Sequence, residues 1–175
     1  MPAPLANNRQ AQTIEALMAE HGDGILRLCY LYLKDVQLAE DAFQETFLRA
    51  YQALPQFKGT SSVKTWLYAI AANVCRSEYR KKKPLAFSDC TLPEAGYEPA
   101  MGEDDTVVRA VLALDEKYRE VILLFYYSDM SVKDIACALH VSSSTVTVRL
   151  SRAREKLKKD LKEWYFDEPI ETGCG

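Results

Sequence analysis

The residues with recognition chemistry concentrate between Ser131 and Lys159, in SVKDIACALHVSSSTVTVRLSRAREKLKK. Val146, Leu150, Ala153 and Leu157 repeat at helical spacing and form one apolar stripe. Ser144, Thr147, Val148, Ser151, Arg152 and Glu155 fall on the opposite side. Hydroxyls, branched methyls and guanidinium groups in one row suit base edges and phosphates. Residues 142–162 hold seven Lys or Arg against two acids. A second basic run, Arg76–Lys83 (RSEYRKKK), holds five against one. Nothing comparable points to bond-making chemistry. The two histidines, His21 and His140, both fall in turns without sequence-local partners. There is no phosphate-binding glycine loop, metal cluster or nucleophile motif.

Such a row needs a rigid helix beneath it. Ser131 followed three residues later by Asp134 is a capping pattern. Ile135, Ala136 and Leu139 give a short helix its apolar side. His140-Val141-Ser142 is a tight turn, in which His140 is expected to adopt positive φ. Ser142 or Ser143 then caps the second helix. This is a helix-turn-helix, which presents the start of its second helix to the major groove. An ordinary αα-hairpin with a solvated basic face is the competing reading of the same residues.

Composition allows a core. The 175 residues are 48% hydrophobic and 27% charged, enough for one medium domain or two small ones. No apolar run reaches the roughly 18 residues of a membrane helix, and MPAPLANNRQ lacks a signal-peptide core. A cytoplasmic chain is expected. The five cysteines (Cys29, Cys75, Cys90, Cys137 and Cys174) include no C-x-x-C pair, so zinc spacing is absent. Cys29, Cys75 and Cys137 read as small core residues; Cys90 and Cys174 leave a redox role open. The net charge of −3 does not exclude nucleic acid, because residues 88–120 carry nine acids against three basic residues. Two basic patches are separated by an acidic region.

Read in order, residues 1–8 form a frayed tail and Gln10–Glu20 a short helix. His21-Gly22-Asp23-Gly24 interrupts it, since each glycine costs about 1 kcal/mol inside a helix. Ile25–Lys34 (ILRLCYLYLK) is apolar all round and should be nearly surrounded by protein. Helices are expected over Leu38–Leu54, ended by Pro55, and over Val63–Arg80, capped by Ser61 or Ser62. Residues 84–103 read as a linker. Glu103–Leu114 and Asp115–Tyr127 precede the helix-turn-helix, and Trp164-Tyr165-Phe166 tuck the last helix down. The fold class is all-α: two small helical domains, 1–83 and 104–163, on a flexible linker, with a tail over 164–175.

At LAEDAFQETFLRAY, FKGTSSVKTWLYAIAANVCRSEYRKKK and LDEKYREVILLFYYSDMSVKDIACALHVSSSTVTVRLSRAREKL the chain resembles regions 2 and 4 of extracytoplasmic-function sigma factors of the sigma-70 family. The three segments, in that order and without extra domains, cover nearly everything outside the tails and linker. The resemblance implies a subunit that joins core RNA polymerase, at the β′ clamp and β flap, and directs it to promoter −10 and −35 elements. It implies no enzyme activity, no cofactor and no small-molecule substrate. An anti-sigma partner, able to hold the chain at the membrane, is also implied.

The resemblance places polymerase docking on Asp41, Gln44, Glu45 and Phe47, with Arg49 nearby. It places −10 recognition on Phe57, Lys58, Ser61, Ser62, Thr65, Asn73, Arg76, Tyr79 and Arg80, with Lys81 to Lys83 on phosphates. Trp66 divides between that surface and the core. It places −35 recognition on Ser144, Thr147, Val148, Arg149 and Arg152, with Arg154 and Lys158 on the backbone. His140, Ser144, Thr147 and Val148 depart from residues frequent in the family, which leaves the base preference open. A different reading is a stand-alone dimeric helix-turn-helix regulator, which predicts a palindromic site.

Overall fold

The computed structural model describes residues 4–82 and 105–166, with side chains from 13 to 81 and from 106 to 162. Among the described residues every regular element is helical. The helices are α1 (Pro4–Leu33), α2 (Val36–Ala53), α3 (Val63–Lys82), α4 (Asp105–Ala113), α5 (Glu116–Ile122), α6 (Val132–Leu139) and α7 (Ser143–Phe166). A one-turn 3-10 segment, Leu54–Gln56, follows α2, and a π turn, Leu123–Tyr127, continues α5. The expected linker, residues 84–103, lies outside the described residues. So do the side chains of Trp164, Tyr165 and Phe166.

Helix α1 runs without the expected interruption. One of its two glycines, Gly24, serves packing rather than a break. A Cβ on Gly24 would collide with the Tyr68 hydroxyl of α3, and one on Gly22 would stand 3.8 Å from the Phe43 ring of α2. Tertiary contact at that point outweighs the local propensity cost. The helix also begins at Pro4, within the stretch expected to fray.

Helices α1, α2 and α3 pack around Ile25, Leu28, Ala42, Phe47, Ala50, Leu67, Ala71 and Val74. Their alanines let helix backbones approach closely. Asp35 caps α2, accepting from the Leu38 N–H at 3.0 Å. Ser62 caps α3, accepting from the Thr65 N–H at 3.0 Å. Pro55 closes the path of α2 by forcing the tighter 3-10 turn.

Helices α4 to α7 pack around Val111, Leu114, Val121, Leu124, Ile135, Leu139, Val146, Leu150 and Ala153. Ser131 caps α6, accepting from the Asp134 N–H at 3.1 Å, and Ser142 caps α7, accepting from the Thr145 N–H at 3.1 Å. His140 takes φ +55°, the left-handed turn that reverses the chain between α6 and α7. Cys29 and Cys75 are buried, as their helical positions require, but Cys137 is exposed. Its neighbours Ile135, Ala136, Ala138 and Leu139 occupy the buried side of α6 and leave it outside.

The two helical groups are not separate. Their buried residues form one continuous apolar cluster. Helix α1 touches α5 and the π turn, and α3 touches α6. This accounts for the all-round apolar end of α1: Ile25, Leu28, Cys29, Leu31, Tyr32 and Leu33 are all buried.

Candidate nucleic-acid and partner interface

On α2, Asp41 and Gln44 are exposed, Glu45 is half-buried, and Leu48 is 52% exposed. Spacings of three, one and three place them on one face. The Arg49 Nε donates to Glu45 Oε1 at 2.6 Å, bracing the acid one turn away. Phe47 is a correction. It is only 3% exposed and packs against Phe43 at 5.0 Å between ring centres, so it supports the helix from inside. The exposed apolar side chain on this face is Leu48. The one-face spacing after Asp41, Gln44 and Glu45 is the sequence signal that points to Leu48.

The segment between α2 and α3 is open to solvent. Lys58, Gly59, Thr60 and Ser62 are exposed, and Gly59 has φ +68°, a backbone conformation that L side chains rarely adopt. Phe57 and Trp66 stack at 4.9 Å and are both half-buried, which joins the two readings of Trp66. Ser62 Oγ bonds to Thr65 Oγ1 at 2.9 Å, and Ser61 is half-buried.

The far end of α3 is differently placed. Asn73 donates to the Ala69 carbonyl at 3.0 Å within its own helix. Arg76 donates from Nη1 to the Leu139 carbonyl of α6 at 2.7 Å. Tyr79 is half-buried under the Arg119 guanidinium, 5.7 Å from its ring centre. Arg80 is exposed and borders an open cleft of about 420 Å³ with Lys81 and His140. Lys81 is paired with Glu78 at 2.6 Å. The expected −10 residues therefore divide into an exposed loop group and a group facing the second helical unit.

On α7, Ser144, Thr147, Val148, Arg152, Arg154 and Lys158 are exposed. Val148, at 49% exposure, is an unusual apolar side chain to leave in water and suits a thymine methyl. Thr147 donates from its hydroxyl to the Ser143 carbonyl at 3.0 Å, which restrains its rotamer. Arg154 donates from Nε to the Tyr126 hydroxyl at 2.8 Å and lies over the Phe125 and Tyr126 rings. Lys117, at the start of α5, shares a shallow cleft of about 380 Å³ with Ser144, Val148 and Arg152. Sequence spacing alone does not reveal it, because it comes from a different helix.

Arg149 departs from its neighbours. It is half-buried: it donates from Nη1 to Glu120 Oε1 at 2.8 Å while also lining the cleft that Ser144, Val148 and Arg152 border. Glu120 is 1% exposed. Tyr32 of α1 donates to the other carboxylate oxygen at 2.8 Å, and Arg76 Nε stands 3.9 Å from it. Burial raises the Glu120 carboxyl above the usual carboxylate range, while the Tyr32 hydrogen bond, Arg76 and Arg149 pull it back. Burial and the Glu120 charge push the Tyr32 phenol far above its ordinary value, so it remains a donor. Among the described residues, no group of three or more His, Cys, Asp or Glu is arranged to hold a metal ion.

Two family models match the chain: sigma-70 region 2 over residues 17–84 and sigma-70 region 4 over residues 104–157. The chain belongs to the extracytoplasmic-function sigma factors. It is 36% identical to the ECF RNA polymerase sigma factor SigW of Bacillus subtilis, over 81% of this chain and 84% of that one. It is 34% identical to the ECF RNA polymerase sigma factor SigC of Mycobacterium tuberculosis, over 89% and 94%. Among solved structures it resembles the sigma factor RpoE in complex with the anti-sigma factor NepR from Bartonella quintana. That match has a TM-score of 0.73 at 24% identity and covers 86% of this chain and 98% of that one. CnrH in complex with the cytosolic domain of CnrY matches with a TM-score of 0.66 at 26% identity, covering 91% and 96%. As a sigma factor the protein is a transcription initiation factor, not an enzyme. Its partners are core RNA polymerase and promoter DNA. The stand-alone regulator is the disfavoured reading.

Proposed function

We propose that this sigma factor engages polymerase and promoter through three surfaces. The α2 face of Asp41, Gln44, Glu45 and Leu48 docks on the β′ clamp, with Leu48 as the desolvated anchor and the acids around it as the polar rim. The loop of Phe57, Lys58, Ser61, Ser62 and Thr65 receives an unstacked base of the −10 element beside the Phe57–Trp66 stack. Asn73, Arg76, Tyr79 and Arg80 continue that surface once the two helical units part. The row Ser144, Thr147, Val148 and Arg152 reads the −35 element in the major groove, while Lys117, Arg154 and Lys158 reach phosphates.

The observation that carries this reading is the exposed row on α7, where a hydrophobic side chain stands in water between hydroxyls and a free-reaching guanidinium. The two units correspond to residues 1–83 and 104–163, and the β flap is the expected seat of the second. An anti-sigma factor is a further partner, supported by the complexes in which structural relatives were solved. Work with core polymerase places the chain in the cytoplasm. No described helix is long and apolar enough to cross a membrane.

The test is co-elution with sigma-free core polymerase, followed by runoff transcription on genomic fragments. Stable association with discrete start sites is the expected result. A dimer that shifts free duplex DNA and ignores polymerase would sink the proposal.

A further inference from the structure

One concave surface of the protein gathers cations without an acid among its walls. The open cleft of about 420 Å³ between α3 and the α6–α7 turn is lined by Asn73, Arg76, Ser77, Arg80, Lys81 and His140. Spacings of three, one and three from Asn73 to Arg80 put those four residues on one face of α3. Arg76 is the fixed wall. Its Nη1 donates to the Leu139 carbonyl at 2.7 Å, and its side chain is 19% exposed. A guanidinium carries five N–H donors, so that bond leaves others for a second acceptor. Glu120 stands 3.9 Å from Arg76 Nε but is already held at 2.8 Å by both Arg149 and Tyr32. Arg80, one turn further along α3, is exposed and has no acid partner among the described residues. Lys81 is braced by Glu78 at 2.6 Å.

His140 completes the cleft from the opposite side. It is exposed, and its imidazole has no hydrogen-bond partner among the described residues. It keeps φ +55°, where glycine would be unstrained. A side chain kept at a backbone outlier, on the lip of a cationic cleft, is an observation from which a binding role can be inferred.

We infer that this cleft binds a diphosphate group. Arg76, Arg80 and Lys81 supply charge-assisted donors to two adjoining phosphoryl groups, and planar guanidinium forks suit phosphate oxygens. Ser77 and His140 add hydrogen bonds at the edge. The volume lies within the few hundred Å³ of small-ligand sites. No apolar residue lines the cleft, so recognition falls on the phosphoryl groups and not on a nucleobase. A DNA strand carries one negative charge per phosphate, whereas a diphosphate places two or more charges on adjoining groups, which matches the cation density here. The inference goes beyond the promoter surfaces proposed above, although Arg76 and Arg80 belong to both, and it is tested without DNA or polymerase.

The full chain is titrated calorimetrically with pyrophosphate, ADP and orthophosphate, each in metal-free buffer at one ionic strength. Saturable one-site binding of pyrophosphate is expected, with orthophosphate clearly weaker. Arg80→Ala should weaken pyrophosphate binding about 10-fold, the loss of one charge-assisted contact. His140→Gly should weaken it several-fold while the fold is kept, because glycine suits the backbone at that position. Lys133→Ala, an exposed lysine of α6 outside the cleft, should change nothing. ADP binding as tightly as pyrophosphate would support the site and assign the diphosphate end of a nucleotide; pyrophosphate binding without ADP would support it and assign the free anion. Absence of saturable pyrophosphate binding overturns the inference. So does binding that survives unchanged in both Arg80→Ala and His140→Gly, or that Lys133→Ala weakens equally. Failure of the chain to co-elute with polymerase would refute the proposed function and leave the titration to stand by itself.

Discussion

Arg149 Nη1 lies 2.8 Å from Glu120 Oε1, so one arginine of the second helix-turn-helix helix is half-buried on a carboxylate of α5. Arg152, less than one turn later, is exposed. Identical side chains on one helix thus have different work. Position around the helix decides which is which.

Arg149→Ala should therefore lower stability, by about 3 kcal/mol, because it leaves a buried carboxylate without its closest cation. Arg152→Ala should leave stability within about 0.5 kcal/mol and weaken −35-dependent transcription instead. Urea denaturation and runoff transcription on both variants separate the two roles. An unchanged denaturation midpoint for Arg149→Ala would contradict the buried pair.

Phe47 and Leu48 should separate in the same manner. Phe47→Ala removes a core ring that packs against Phe43 and should cost about 3–5 kcal/mol of stability. Leu48→Asp should spare the fold and reduce affinity for core polymerase, since it places a charge at the exposed anchor. Thermal unfolding and polymerase co-elution read these outcomes. Full polymerase affinity in Leu48→Asp would remove the docking face.

The Glu120 carboxyl carries a definite pH signature. Its folded value is raised by burial, so the folded chain binds this proton more tightly than the unfolded chain does. The resulting contribution to stability is fully present below the ordinary carboxylate range and is lost as pH rises through the raised value. Glu120→Gln, which cannot ionise, lacks this loss. Wild type should therefore fall in stability relative to Glu120→Gln as pH rises through and above the ordinary carboxylate range. Parallel denaturation curves across that range would refute the assigned direction.

His140 holds φ +55° at the end of α6, where its N–H reaches the Ala136 and Cys137 carbonyls. A residue with a Cβ is strained there, so His140→Gly should stabilise the chain by about 0.5–1 kcal/mol. A lower unfolding midpoint in that variant would show that the imidazole makes a contact worth more than the strain. Gly24→Ala should do the opposite, because its Cβ would displace the Tyr68 hydroxyl.

The sequence by itself determined most of the helices and the neighbourhood of their caps. Local rules suffice for those: Ser131, Ser142 and Ser62 can satisfy free N–H groups wherever their helices lie, and Pro55 cannot continue one. The same locality made Gly22 and Gly24 look like a break, since the partner that justifies Gly24, Tyr68, comes from a distant helix. Helical spacing also located the exposed row of Ser144, Thr147, Val148 and Arg152. It could not separate Arg149 from that row, or Phe47 from Leu48, because adjacent positions differ by about 100° and only packing sets which angle faces inward. Only the tertiary structure decided that Glu120, with no local mark to distinguish it among the acids of its region, is buried against Tyr32 and Arg149. The reason is physical. A charge reveals its role through what surrounds it, and those surroundings come from residues 88 and 29 positions away in the chain.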